Sequence, residues 1–227
     1  GEKKNFGFKG KSSFRDKPSR DGEKKSFGFK RKSSFTKKNK RKINIMAQPE
    51  YTPYLDALTE AMKLTMEDEK TIFIGQQIVY YGNPMSKTIE GLPKERMIET
   101  PVMEETQMGM TMGLAMTGHR VVTFYPRWDF VILAVNQLIN HLDKLEAMSD
   151  GEWKPNVIVR VGKGSDKPLD PGHQHKADYT DAFKQMVTNC TIEKLDTAEK
   201  ILPAYERALS QGGIHILVEY PELYYKN

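Results

Sequence analysis

A chain of 227 residues with a single cysteine, Cys190, forms no internal disulfide, and no apolar run approaches the 18 residues that a membrane-spanning helix needs. Charge is unevenly divided: residues 1–45 carry 17 Lys and Arg against 4 Asp and Glu, so the overall +5 averages a basic tail and a body of net −8. The charged start lacks the apolar centre of a secretory signal, which with the lone cysteine reads as a cytoplasmic protein.

The tail contains a repeat. Gly1-Glu2-Lys3-Lys4-Asn5-Phe6-Gly7-Phe8-Lys9 returns as Gly22-Glu23-Lys24-Lys25-Ser26-Phe27-Gly28-Phe29-Lys30, and Lys37-Lys38-Asn39-Lys40-Arg41-Lys42 follows. Two copies without aliphatic residues make no solenoid. Low hydrophobicity and high charge predict disorder in isolation. Phe among Lys suits stacking on bases while the cations meet phosphates, so nucleic acid or an acidic protein is an expected partner of residues 1–45. A solvated leader is the plainer reading. Met46 opens the globular pattern, giving two expected units, 1–45 and 46–227. Gly1 at the head suggests a processed or partial chain.

From 51 onward helix and strand patterns alternate. Residues 51–69 place Leu55, Leu58, Ala61, Met62 and Leu64 on one helical stripe. A buried strand is expected at 71–74, and a strand-like run at 97–99 ends in Thr100-Pro101. Helix follows at 104–117, strand at 119–125, helix at 130–148 and a β-branched strand at 156–161. Residues 162–176 are loop-like, with Gly162, Gly164, Pro168, Pro171 and Gly172 before His175. Helix at 198–210 and strand at 214–219 close the pattern. Strands separated by helices predict an α/β fold, doubly wound, with a mostly parallel sheet covered on both faces.

Met97-Ile98-Glu99-Thr100-Pro101-Val102-Met103-Glu104-Glu105 is the most informative stretch. A strand ends, and a glycine-punctuated helix (Gly109, Gly113, Gly118) opens with two acids. Acids in a first turn are favoured by the helix dipole and need no chemical role. The same arrangement also holds a carboxylate at a helix start beside a backbone that another surface can approach closely. Two adjacent acids cannot face the same way on a helix, so at most one of Glu104 and Glu105 faces such a surface. The methionines at 103, 108, 110, 112 and 116 read as packing, since no Cys or His sits beside them. His173 and His175 lack further ligands at zinc spacing, so no metal site is expected. His119 and His141 read as structural, and the sequon Asn189-Cys190-Thr191 matters only in a secretory context.

With these residues stand Ile74-Gly75-Gln76-Gln77, Asn136-Gln137-Leu138-Ile139-Asn140-His141, Met148-Ser149-Asp150-Gly151, Gly172-His173-Gln174-His175 and Ile216-Leu217-Val218-Glu219. In this order and spacing they resemble the pyrimidine-binding domain of the beta subunit of thiamine-diphosphate-dependent 2-oxo acid dehydrogenases, the pyruvate dehydrogenase beta type, over roughly residues 51–224. The resemblance implies a transketolase-like fold and a heteromeric enzyme that decarboxylates a 2-oxo acid or transfers the resulting aldehyde unit. It implies that Glu104 hydrogen-bonds the cofactor's aminopyrimidine and favours the tautomer that activates the thiazolium carbon. It places Phe130 against the pyrimidine ring and His175 near the substrate carboxylate. It implies an alpha-type partner, because the family's diphosphate and magnesium signature Gly-Asp-Gly…Asn is absent here. The chain departs from the family at Gln76-Gln77, where acids stand, at Leu133, where a polar residue is usual, and in charges near His175. It also ends near Asn227, where the family continues into a C-terminal domain. Those departures favour a rival expectation, a noncatalytic assembly protein reusing the fold and anchored by its tail.

Overall fold

The computed structural model describes residues 52–80, 82–167 and 170–226. The repeat, the basic tail and the expected boundary at 46 lie outside the described residues. No described helix is long and apolar enough to cross a membrane.

Helix α1 (Pro53–Met66) starts where the Thr52 hydroxyl accepts from the Leu55 N–H and proline occupies the first turn, a position in which its missing N–H costs nothing. Then come β1 (Thr71–Gly75), β2 (Met97–Glu99), α2 (Glu104–Met116), β3 (Arg120–Tyr125), α3 (Trp128–Val131), α4 (Leu145–Met148) and β4 (Asn156–Gly162). The chain closes with α5 (Thr180–Met186), β5 (Cys190–Leu195), α6 (Ile201–Gln211) and β6 (Gly213–Glu219). The six strands form one wholly parallel sheet in the order β2-β1-β3-β4-β6-β5.

Alternation along the strands supplies two cores. Val122, Phe124, Ile158 and Leu217 face α1, α6 and the 3-10 turn Pro84–Ile89. Val121, Tyr125, Val157, Val159, Ile216 and Val218 face α2, α3 and α5. Both faces are covered, so the central strands read as continuous apolar runs, as the doubly wound expectation requires.

Three local expectations change. The helix at 130–148 begins at Trp128 and is not uniform: it tightens to 3-10 at Ile132–Ala134, loosens to a π-turn at Asn136–His141 and tightens again at Leu142–Lys144. At its far end Asp143, fully buried, accepts from the N–H groups of Thr188, Asn189 and Cys190 at 2.8–3.2 Å, and the Asn189 amide donates to the Asp143 carbonyl. Strand β5, which follows directly, gave no pattern because it is a half-exposed edge. Helix α5 is too short for a stripe and buries only Thr180 and Phe183.

One charge pair is sealed inside the sheet. Arg160 and Glu219, both without solvent exposure, join through two hydrogen bonds of 2.5 and 2.9 Å. The third contact of Arg160 is the Thr88 hydroxyl at 2.9 Å, and Tyr224 donates its phenol to Glu219. Burial alone would lower the Arg160 pKa, but the Glu219 charge outweighs it and drives it up.

Candidate functional site

The strand order fixes where a crevice opens. The connection after β1 leads outward to β2, whereas β3 lies on the opposite side of β1, so the loops leaving β1 and β3 diverge. Ligands of open α/β sheets bind at such a reversal, beyond the carboxyl ends of the strands. A cleft of about 320 Å³ lies there, with Gln76 and Gln77 from the β1 loop, Glu104 from α2, and Pro126, Arg127 and Phe130 from the β3 loop on its walls.

The β1 wall is held by a carboxylate. Glu99, at the end of β2, accepts from the N–H groups of Gln77, Ile78 and Val79 at 2.5, 3.0 and 2.8 Å. Those bonds sustain Gln77 at φ 56°, a left-handed conformation that a side chain other than glycine rarely adopts. The Glu99 role is absent from the sequence reading; only its place at the end of the strand-like run hinted at it.

Glu104 is the first residue of α2 and is buried, whereas Glu105 is exposed and accepts from the Gln137 amide at 2.7 Å. Among the described residues the Glu104 carboxylate has no hydrogen-bonding partner, although its backbone carbonyl accepts from Tyr125 at 3.0 Å. The Tyr125 phenol is held far above its ordinary pKa, first by burial and further by the Glu104 charge. No side chain caps α2 at Met103, so the helix start is fixed from within. The buried Gln107 donates to the Thr123 hydroxyl and the Phe124 carbonyl, each at 2.9 Å, and accepts from Thr100 at 3.3 Å. Beneath it, a Cβ on Gly75 would stand 2.9 Å from the Phe124 Cβ, so β1 and β3 meet at the cleft floor only because Gly75 has none.

Phe130 and His175 come together from distant segments. His175 lies on a short turn, His173–His175, and its ring stands 5.3 Å from that of Phe130 at 55°. The His175 Nδ1 is buried with no protein partner, and Arg127 Nη1 donates to the His175 carbonyl at 3.0 Å. Two glycines make this approach possible. A Cβ on Gly162 would fall 2.1 Å from the Pro126 carbonyl oxygen, and one on Gly164 would fall 2.1 Å from the Lys176 backbone. His173 is exposed. Leu133, 61% exposed, borders a second hollow against Glu104 and Glu105.

The remaining sequence candidates lie elsewhere. His119 contacts the Thr117 hydroxyl and His141 the Asn136 amide, both local contacts outside the cleft lining. Burial raises the Cys190 thiol pKa, with the Asp143 contact adding to it, which leaves a weak nucleophile. Among the described residues no group of three or more His, Cys, Asp and Glu is placed to hold a metal ion.

With this geometry in place, relatives can be compared. The pyruvate dehydrogenase E1 component subunit beta of Gracilaria tenuistipitata var. liui is 27% identical over 173 residues, covering 74% of this chain and 53% of that protein. The chloroplastic subunit beta-4 of Oryza sativa subsp. japonica is 30% identical over 174 residues, 74% of this chain and 42% of that protein. Over this stretch the described domain is similar to pyruvate dehydrogenase beta subunits. The 2-oxoisovalerate dehydrogenase subunit beta of Bacillus subtilis (strain 168) is 32% identical over 115 residues, covering 49% of this chain and 35% of that protein. The chain thus spans about half or less of the length of these relatives. Among solved structures, one described as split gene transketolase, inactive beta4 tetramer, matches with a TM-score of 0.55 and 17% identity over 74% of this chain and 50% of that one, which shows the shared fold. No protein-family model matches the chain.

Proposed function

We propose that this beta-type domain supplies the pyrimidine side of a thiamine-diphosphate site completed by an alpha-type subunit, acting on a 2-oxo acid. The observation that carries the reading is the shared cleft: a buried carboxylate without a protein partner, Glu104, and an aromatic ring, Phe130, stand on its walls at the sheet's reversal point. These residues fit the group. Glu104 would hold a ring nitrogen of the aminopyrimidine, and Phe130 would pack against that ring, an aromatic contact worth about 1 kcal/mol beyond burial. When bound, the cofactor supplies the nucleophilic carbon that attacks the 2-oxo carbonyl and the electron sink that decarboxylation requires.

The chain's own residues do the rest. Glu104 would share a proton with the heterocycle when it is bound. The Thr100, Gln107 and Thr123 contacts keep α2 from shifting while it does so. His175, against Phe130, presents an imidazole that can donate a hydrogen bond, suited to meeting a carboxylate. Around Glu104 the surface is apolar and open, with Val102 76%, Met103 51% and Leu133 61% exposed. A partner that covers this rim also excludes water from the cleft, and it would contribute the diphosphate and magnesium side.

The test is purification of the native assembly with its cofactor, followed by Glu104→Gln in the same assembly. Expected are an alpha-type subunit, bound thiamine diphosphate and loss of 2-oxo acid decarboxylation by at least roughly a hundredfold with assembly unchanged. A variant that turns over normally removes Glu104 from the mechanism. Assembly partners without any cofactor would favour the structural reading of the fold.

A further inference from the structure

Arg127 is the one charged side chain on the cleft wall that this reading leaves unused. It stands between the end of β3 and α3, half-buried, on the same cleft as Glu104 and Phe130. Its bond to the His175 carbonyl holds the guanidinium on the Phe130–His175 side. That carbonyl is neutral and engages one of the five N–H donors, so it supplies no countercharge. None of the ion pairs among the described residues includes Arg127. Asp129, two positions on, acts on it through space, yet one oxygen of that carboxylate is itself buried without a partner. The cleft therefore presents a fixed, partly desolvated guanidinium with donors to spare, and a planar fork of this kind matches a carboxylate or phosphate better than any other group.

We propose that Arg127 recognises a second anionic group of the substrate, a carboxylate or phosphate that is retained through the reaction. This rests on the reading of the cleft as the pyrimidine side of a 2-oxo acid site. The other anion in reach of such a site is the carboxylate that leaves as carbon dioxide. A charge-assisted pair to that group is strongest in the ground state and fades as its charge moves into the rest of the substrate, which raises the barrier. An anion whose charge persists gains from Arg127 throughout, and it sorts substrates: those with a neutral side chain leave the guanidinium desolvated and unpaired.

The experiment is a titration of the full chain, by calorimetry or ligand-observed NMR, with four probes: 2-oxoglutarate, ribose 5-phosphate, 2-oxoisovalerate and thiamine. Wild type is expected to bind at least one of the two dianions roughly tenfold or more tightly than 2-oxoisovalerate, the size of one charge-assisted contact. Preference for 2-oxoglutarate assigns the group as a carboxylate, and preference for ribose 5-phosphate assigns a phosphate. Arg127→Gln should erase the difference, Arg127→Lys should keep part of it, and neither should alter thiamine binding. Equal affinities in wild type, no binding of either dianion, or a preference that survives in a folded Arg127→Gln overturns the proposal. Glu104→Gln separates the two readings, since it should abolish thiamine binding and spare the anion preference. Wild type that prefers a dianion but ignores thiamine would overturn the pyrimidine assignment alone.

Discussion

Replacing Glu219 with glutamine leaves the Arg160 guanidinium inside the sheet with no countercharge. Neither residue has any solvent exposure, and the two bonds of 2.5 and 2.9 Å engage both carboxylate oxygens. Glutamine keeps the shape and one acceptor, but its NH2 faces donors, so the countercharge is lost together with at least one accepted hydrogen bond. Removing one partner of a buried pair costs about 3–5 kcal/mol, at least about a fifth of the roughly 5–15 kcal/mol that holds a domain folded. With a urea slope of about 2–3 kcal/mol per molar, the midpoint should fall by about 1–2.5 M. Arg160→Met should be similarly damaging, because Glu219 then stands alone against the Tyr224 phenol. The double variant Arg160→Met with Glu219→Leu removes both charges and should lose less than the two singles combined, since the penalty comes from an unpaired charge and not from a missing attraction. Urea melts of the four full-length proteins measure this. A midpoint for Glu219→Gln within 0.3 M or so of wild type, or costs that simply add in the double variant, would refute the argument.

Two further predictions concern the scaffold. The Asp143 carboxyl titrates well below its ordinary range: burial alone would raise its pKa, but the Lys144 ammonium and the Asn189, Cys190 and Thr188 donors overcome that. A depressed folded pKa means its contribution is full above the unfolded value of about 3.9 and disappears as pH falls below that toward the folded value. Asp143→Asn should therefore lower thermal stability at pH 7 and flatten its decline below about pH 4; a variant with an acid limb as steep as wild type would exclude Asp143 as the cause. Gly162→Ala places a methyl where the Pro126 carbonyl oxygen already stands, and should cost about 1–3 kcal/mol in chemical denaturation while loosening the Arg127–His175 contact. An unchanged melt would show that the β3 loop yields freely.

The residues that made the fold legible are those whose burial is dictated by the sheet. The runs Val121-Val122, Val157-Ile158-Val159 and Ile214 to Val218 are apolar on both faces because both faces are packed, and their spacing by helical patterns left parallel pairing as the natural solution. Elements at the margin did not announce themselves. Strand β5 carries Glu193 and Lys194 because one side of it meets solvent, and the uneven 132–144 segment has the apolar spacing of a regular helix, while the partners of its Asp143 stand 45 residues away, at Thr188 and Asn189. Glu104, Phe130 and His175 were named from a resemblance, and the fold places Glu104 and Phe130 on one cleft and His175 against Phe130. What sequence could not supply was the work of Glu99, Gln107 and Arg127. Each is an ordinary polar residue in a strand end, helix or loop, and its partners are set by the packing of separate elements.

The reversal of strand order between β1 and β3 separates two histories within one molecule. The crevice exists because two connections turn opposite ways, and what shapes its walls is Glu99 and a few glycines, with no demand on the side chains that face into it. Fold-holding residues, such as Arg160 with Glu219 and the valines of the central strands, lie behind the sheet ends, while cleft residues sit on connections beyond them. A lineage can therefore exchange Arg127 or Leu133 without renegotiating the core, and lose or alter a chemistry while remaining fully folded. The architecture makes the cleft heritable and its contents negotiable.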